Sequence, residues 1–277
     1  MLAVLHLIGL TTLENYINDF KGTHRLEVNK FINSTYRPGF KSSITEFCND
    51  VDENFGMFNM PNEFDWRSKG VITPVKNQGD CGSCWSFSAT GAMESIYTIK
   101  TGIQVSFSEQ ELIDCSNKYN DMGCNGGTMT GAFRYAIDNG ICHERDVPYD
   151  NTTHSCMKDS CKNKSFFTDC KILPSAAPLK MLRYIQNQPL SVAIQANHPM
   201  FKFYKSGIIT SIECGDTPDH GVLIVGYGSE NGIDYWLVKN SWGTDWGDHG
   251  YVKIGRDVSE NKYGVCGITR EVSFPQF

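Results

Sequence analysis

The chain has 277 residues, with 25 basic and 31 acidic side chains, a formal charge of −6, and 11 Cys, 26 Gly, 16 Phe, 12 Tyr and 5 Trp. That length buries a core without disulfide staples, the aromatic content excludes a disordered chain, and net acidity without a basic run excludes a nucleic-acid or anionic-membrane surface. The Cys count of 11 is odd, so at least one thiol stays unpaired within the chain and is a candidate reactive group.

In chain order, MLAVLHLIGL (1–10) is apolar but too short to span a bilayer. It reads either as part of a secretory signal core, lacking the basic flank and the cleavage site, or as a shortened start or a buried helix end. Residues 1–59 carry one Cys, Cys48, and an acidic stretch, CNDVDENFGMFNMPNEF, that reads as a linker. Hence 1–59 is expected to be a removable leader and 60–277 the working domain. N-x-[ST] sites at Asn33, Asn151 and Asn163, with Cys scattered singly, point to the endomembrane route.

After Trp66 a Gly- and Cys-rich loop, VITPVKNQGDCGSC, runs into a helical pattern from about Cys84 to Lys100, stopped by Gly102. A second helix opens at Ser108, where Ser-Glu-Gln-Glu predicts a capping box with Glu111 at the third helical position. A third follows Gly127 and stops at Gly140, and a short fourth spans about Leu179 to Gln186. Beyond Pro189 the apolar period becomes 2, predicting strands at Leu190–Ala196, Gly221–Gly228, Tyr235–Lys239, Tyr251–Ile254 and Ile268–Val272. Helices first and strands second predict an α+β chain in two lobes with a cleft where they meet.

Cys84 stands where a loop meets the first helix, so unsatisfied N–H groups and the helix dipole favour its thiolate. With Cys81 it also spells CxxC, but a redox CxxC belongs in a βαβ unit and a zinc site needs a second Cys or His pair, neither of which this chain supplies. A helix end contributes about 0.3 to 2 kcal/mol, whereas lowering a thiol from about 8.5 to near 4 takes roughly 6 kcal/mol, so a cation must supply the rest. Of seven His, His220 at the mouth of the apolar run TPDHGVLIVGYG is the best placed, with His249 in GDHGY the runner-up. An imidazole working as base and acid needs an orienting partner. Asn240, which ends a strand and precedes Trp242, fits, because a neutral amide suffices when a thiolate balances the cation. Gln78, six residues before Cys84, is placed to bind an oxyanion together with the Cys84 N–H.

These residues make the chain resemble the papain family of cysteine proteases, in its cathepsin L-like branch. Cys81-Gly82-Ser83-Cys84-Trp85 matches the family signature C-G-[SA]-C-[WY], and His220 and Asn240 follow Cys84 by 136 and 156 residues. The likeness runs over Pro61–Phe277 through PNEFDWR, VKNQGDCGSCWSFS, SEQELIDC, GCNGG, DHGVLIVGYG, VKNSWGTDWGDHGY and YGVCG. It implies a helical left lobe and a β-barrel-like right lobe flanking the cleft, and a thiol endopeptidase made as a zymogen. No His-His insertion of the cathepsin B kind, which favours dipeptidase action, is present between Gly127 and Pro148.

The resemblance also implies finer features. The disulfides would be Cys81–Cys124, Cys115–Cys156 and Cys214–Cys266; two of Cys142, Cys161 and Cys170 would pair, one would stay free, and Cys48 would leave with the leader. Gly126 and Gly127 would offer backbone to a substrate strand, beside Asp219 and Trp242. The pocket for the residue two before the scissile bond (S2) would be lined by Thr128, Met129, Ala193, Pro218, Gly221 and Glu271, taking Leu or Phe. Glu271 would also admit Arg, unless a one-residue slip leaves it on the surface. Partners would be protein and peptide substrates, the chain's own propeptide and cystatin-like inhibitors, acting on a monomer in a lysosome or digestive vacuole or outside the cell. No metal or cofactor is implied. A catalytically silent binding homologue is the alternative, opposed by the intact Cys84, His220, Asn240 and Gln78 set.

Overall fold

A computed structural model of the chain describes residues 12–30, 36–42, 47–51, 60–157, 161–256 and 261–277. Its spine is helix α1 (Cys84–Thr101), ended by Gly102, which adopts φ 73° and donates its N–H to Thr98 O. Because α1 is buried on nearly all sides, its apolar residues form no single stripe. Small side chains at Ser88, Ala89, Gly91, Ala92 and Ser95 let neighbours approach from several directions. Ser88 Oγ donates to Val222 O and Ser191 Oγ donates to Ser88 O, at 2.7 and 2.9 Å, locking the helix to the sheet.

Helix α2 (Glu109–Cys115) is capped by Ser108, whose Oγ accepts from Glu111 N at 2.9 Å. The expected capping box is only half formed. The Glu111 carboxylate instead accepts from Cys142 N, Tyr135 Oη and Lys164 Nζ at 2.6, 3.0 and 2.6 Å, and Ser108 N donates to Cys142 O. A buried carboxylate with a lysine partner gains more there than at a cap. Helix α3 (Met129–Asn139) starts at Thr128, whose Oγ accepts from Gly131 N at 2.9 Å. Helix α4 (Pro178–Tyr184) begins with Pro in its first turn, where the missing N–H costs nothing. The single turn α5 (Pro199–Lys202) was not expected from periodicity.

Among the described residues ten strands form one open sheet. In sheet order they are β1 (His24–Leu26), β6 (Tyr204–Ile209), β9 (Tyr251–Gly255), β8 (Ile233–Lys239), β7 (His220–Glu230), β5 (Leu190–Ile194), β10 (Glu271–Gln276), β4 (Asp169–Leu173) and β2 (Asn49–Asp50). β3 (Phe64–Asp65) pairs with β7 off that path. β7 is buried on both faces, so it reads as a continuous apolar run. Val222 and Ile224 join one core with Val192, Trp236 and Val238; Leu223 and Val225 join the other with Ala92, Met93 and Ala193. The two lobes thus share a sheet, one core holding α1 and α3 and the other the inner β residues. β10 begins at Glu271 rather than Ile268, because Cys266 (φ 55°) and Gly267 (φ 71°) turn the chain first.

The N-terminal region is more closely joined to the rest than its composition implied. β1 pairs antiparallel with β6, β2 pairs parallel with β4, and Val51 enters the core. Cys48, expected to leave with the leader, is disulfide-bonded to Cys170 across 122 residues. Cys142 pairs with Cys161, so the expectation of a free thiol among Cys142, Cys161 and Cys170 is corrected too. With Cys81–Cys124, Cys115–Cys156 and Cys214–Cys266 also bonded, the free cysteine is Cys84. Among the described residues no helix is long and apolar enough to cross a membrane, and no acidic, His or Cys cluster is arranged to hold a metal.

Candidate active site

Cys84 is the first residue of α1, so its N–H has no intrahelical acceptor. His220 opens β7, and Asn240 directly follows β8. β7 and β8 are antiparallel, pairing Leu223 with Lys239, so the start of one and the end of the other lie together. The Gly221 N–H donates to Cys84 Sγ at 3.2 Å, which brings the start of β7 against the helix end.

The orientation of His220 follows from backbone chemistry. Asn240 Oδ1 accepts from Ser241 N at 2.8 Å. A peptide N–H only donates, so the Asn240 atom facing it must be oxygen. The same oxygen lies 2.7 Å from His220 Nε2, which must therefore carry a proton. Nδ1 is left as the basic nitrogen of the neutral ring. Trp242 packs 4.8 Å from the imidazole, and Phe201 lies against both rings, which keeps water from the amide–imidazole bond. His249, the runner-up, is exposed in the turn before β9.

Gln78 is buried by the same strand end. Its Oε1 accepts from Ser241 Oγ at 2.7 Å and its Nε2 donates to Cys81 O at 2.9 Å, using one of two amide hydrogens. Ser241 thus holds both Asn240 and Gln78; only its place beside Asn240 hinted at this in the sequence.

Residues 36–42 run through the cleft. Gly39 N and Phe40 N donate to Asp219 O at 3.1 and 3.2 Å, Gly127 N donates to Gly39 O at 2.9 Å, and Lys41 N donates to Gly127 O at 2.8 Å. Phe40 bridges Gly127 in parallel and is 5% exposed, in the cluster that holds Met129 and Ala193. A Cβ on Gly39 would lie 2.7 Å from Cys84 Sγ, and one on Gly127 2.7 Å from the Trp85 ring, so both positions need Gly. Tyr36 Oη donates to Asp219 Oδ1 at 2.9 Å, and its ring sits edge-on to Trp242. The aromatic pair Tyr36 and Phe40 around Pro38-Gly39 was the signal for this segment, within the stretch 1–59 expected to be a leader.

With the cleft covered, burial pushes the Cys84 thiol up to about 12 and holds the His220 imidazole down at about 4, against the pull of its Asn240 bond. Behind Asn240 a cavity of about 20 Å³ is lined by Lys76, Glu94, Glu109 and Lys239 among others. Lys76 Nζ bridges Glu94 and Glu109 at 2.8 and 2.5 Å, a buried ion group absent from the sequence reading.

The remaining expected residues divide. Met129, Ala193 and Gly221 are buried together, the Met129 sulfur lying 3.2 Å from where a Gly221 Cβ would be. Gly126 faces Gly39 and Lys41, and Pro218 is half-buried. Thr128 is buried, its hydroxyl committed to capping α3, and its N–H donates to Asp121 Oδ1 at 2.8 Å. Half-buried Glu271 accepts from Ser42 Oγ at 3.1 Å, so its carboxylate faces the chain in the cleft. Asn151 and Asn163 are exposed, with Asn151 Oδ1 tied to Cys81 N at 2.8 Å, while Asn33 lies outside the described residues.

Many known proteins are similar to this chain. The family model for the papain family cysteine proteases matches residues 60–276. The chain is 48% identical over 219 residues to a probable cysteine protease, RD21C, of Arabidopsis thaliana, covering 78% of this chain and 48% of that one, about half its length. It is 42% identical over 281 residues to cathepsin L1 of Drosophila melanogaster, covering 92% and 72%. The proform crystal structure of the ragweed pollen allergen Amb a 11, a cysteine protease, superposes with a TM-score of 0.88 at 34% identity, covering 98% of this chain and 80% of that one. The chain belongs to the papain family of cysteine proteases.

Proposed function

We propose that the chain is a thiol endopeptidase made as a zymogen, with Cys84 as nucleophile, His220 as base and then acid, Asn240 as orienter, and Gln78 with the Cys84 N–H as oxyanion donors. The observation that carries this reading is the chain Ser241 N to Asn240 Oδ1 to His220 Nε2, which leaves Nδ1 as the basic nitrogen on a residue whose neighbour, Gly221, donates its N–H to Cys84 Sγ. Once water re-enters the cleft, the Sγ proton passes to Nδ1 and a thiolate–imidazolium pair forms. The thiolate attacks the peptide carbonyl carbon, the oxyanion rests on the two donors, and the imidazolium protonates the leaving amine as the C–N bond breaks. Water, deprotonated by His220, then hydrolyses the acyl-enzyme and restores the thiol.

Residues 1–59 act as the leader and 60–277 as the protease. The contacts of 36–42 with Asp219, Gly127 and Cys84 support the leader as the enzyme's own inhibitor. The pocket takes Leu or Phe, a reading that the burial of Phe40 in the cluster of Met129 and Ala193 supports, and Glu271 also admits Arg. The enzyme works as a monomer on proteins and peptides in a lysosome, digestive vacuole or outside the cell, and is open to cystatin-like inhibitors.

The test is labelling with an epoxide inhibitor of thiol proteases, followed by N-terminal sequencing. Labelling at Cys84 is expected after a cut near Met60 and leader removal. Folded protein freed of its leader that stays unlabelled at Cys84 would overturn the reading.

A further inference from the structure

The stretch that fills the cleft and the stretch that is bonded to the catalytic body are almost contiguous. Gly39 touches Cys84 Sγ, and nine residues later Cys48 is joined covalently to Cys170 in β4. Several contacts reinforce the joint. Asn49 and Asp50 pair with Lys171 and Ile172, Val51 N donates to Ile172 O at 3.3 Å, and Asn49 Nδ2 donates to Asp169 Oδ1 at 3.1 Å. Cys48 and Cys170 are 6% and 0% exposed. The processing position near Met60 lies on the far side of this joint from Gly39.

We propose that activation takes two covalent steps: the cut near Met60, which alone leaves the inhibitory segment tethered, and reduction of the Cys48–Cys170 disulfide by a dithiol, which releases it. The inference rests on the reading of 1–59 as leader and Cys84 as nucleophile. After a cut at Met60 the segment 36–42 is still part of the same covalent molecule. Its rebinding is intramolecular, at an effective concentration in the mM range for a short tether, so dilution does not relieve inhibition.

In the second step a reductant thiolate attacks Sγ of Cys48, the less buried of the two residues, and the S–S bond breaks as Cys170 leaves and takes a proton. The reductant's second thiol attacks the mixed disulfide and frees Cys48 as a thiol. The reductant ends as an internal disulfide, and two electrons have reached the protein. Access requires opening of β2, a two-residue strand at the end of the sheet and so among its least protected parts.

The experiment uses the full-length zymogen, parent and Cys48→Ser/Cys170→Ser, each cut near Met60 by a small amount of added protease without reductant. Denaturing thiol titration first establishes that Cys84 is reduced in both. Intact mass under non-reducing conditions should show the leader fragment still bound in the parent and lost from the variant. Epoxide labelling of Cys84 should be at least about tenfold slower in the unreduced parent and should reach the variant's rate after a dithiol is added.

Loss of the leader fragment from the unreduced parent, or equal labelling of parent and variant before reduction, overturns the proposal. If the variant does not fold, the parent's mass before and after reduction decides the tether unaided. If the cut variant folds but is never labelled, the nucleophile reading fails, while the parent's mass still decides the tether.

Discussion

His220 Nε2 and Asn240 Oδ1 lie 2.7 Å apart at neighbouring strand ends, and the Ser241 N–H on the same oxygen makes the histidine the donor. A single backbone hydrogen thus sets the amide orientation, the tautomer and the nitrogen that remains basic. The sheet supplies this without long-range adjustment, because β7 begins and β8 ends at the same edge of the cleft.

Replacing Asn240 by Ala removes the acceptor that holds Nε2–H. We expect kcat to fall by roughly 10²-fold or more, short of the ~10⁴ lost when a triad's orienting acid is changed so that the wrong tautomer results. KM should move little, because Asn240 is buried behind His220. Steady-state kinetics on a peptide reporter checks this, and an unchanged kcat would remove Asn240 from the mechanism.

Gln78→Ala should lower kcat by about 10²–10³, the usual cost of one oxyanion donor. It also strips Ser241 Oγ of its acceptor, worth about 1–3 kcal/mol of stability. Kinetics and denaturant melts on the same preparation separate the two effects. A stability loss without a drop in kcat would make Gln78 a purely structural residue.

Asp121 supports the Gly127–Thr128 edge through Thr128 N, and burial raises its carboxyl from 3.8 to about 7 despite the hydrogen bonds it accepts. Because the folded value lies above the unfolded one, ionising Asp121 costs stability. The cost is absent below about pH 4 and complete above about pH 7, on the order of a few kcal/mol. Asp121→Asn keeps the acceptor and removes the charge. Its melting temperature should exceed the parent's at pH 8 and match it at pH 4; a pH-independent difference would argue against titration of Asp121.

Much of the candidate site is legible in the sequence because its residues sit at element boundaries that leave local marks. Cys84 follows a Gly-rich loop at a helix start, His220 opens an apolar run, and Asn240 closes one. What stayed hidden depends on distant partners. Cys48 lies in a polar stretch that carries no trace of Cys170, and Glu111 looks like a capping residue until Lys164 and Tyr135 are brought to it. β1 and β2 are too short for a period, existing only because β6 and β4 offer edges.

Glu271 pairs with Ala193 on β5 and turns its carboxylate to Ser42 in the cleft. Reporters with Phe-Arg and Arg-Arg should both be cleaved, and Glu271→Ala should lower the Arg-Arg to Phe-Arg ratio of kcat/KM by roughly fivefold to tenfold. That corresponds to about 1 to 1.4 kcal/mol for a half-exposed ion pair. An unchanged ratio sinks the assignment. A parent–variant difference that disappears in high salt identifies the contribution as electrostatic.

Lys76 is the cation shared by Glu94 and Glu109 beneath the Asn240 strand end. One ammonium neutralises one carboxylate. Accordingly Glu94 is held below its usual range by Lys76 and Lys239 despite burial, while burial raises Glu109 above its usual range even with Lys76 beside it. Lys76→Met leaves both carboxyls without their nearest cation. Removing one partner of a buried pair costs about 3–5 kcal/mol, and at about 2–4 °C per kcal/mol for a domain of this size the melting temperature should fall by roughly 10 °C at neutral pH. Without Lys76 the folded-state values of both glutamates rise above the unfolded ones, so the penalty grows as pH increases from about 4 and shrinks on acidification. The deficit should therefore be smaller at pH 4.5 than at pH 7.5, and Lys76→Met/Glu109→Gln should recover part of it. A deficit that is constant across that range would mean that Lys76 acts through the packing of its aliphatic stem.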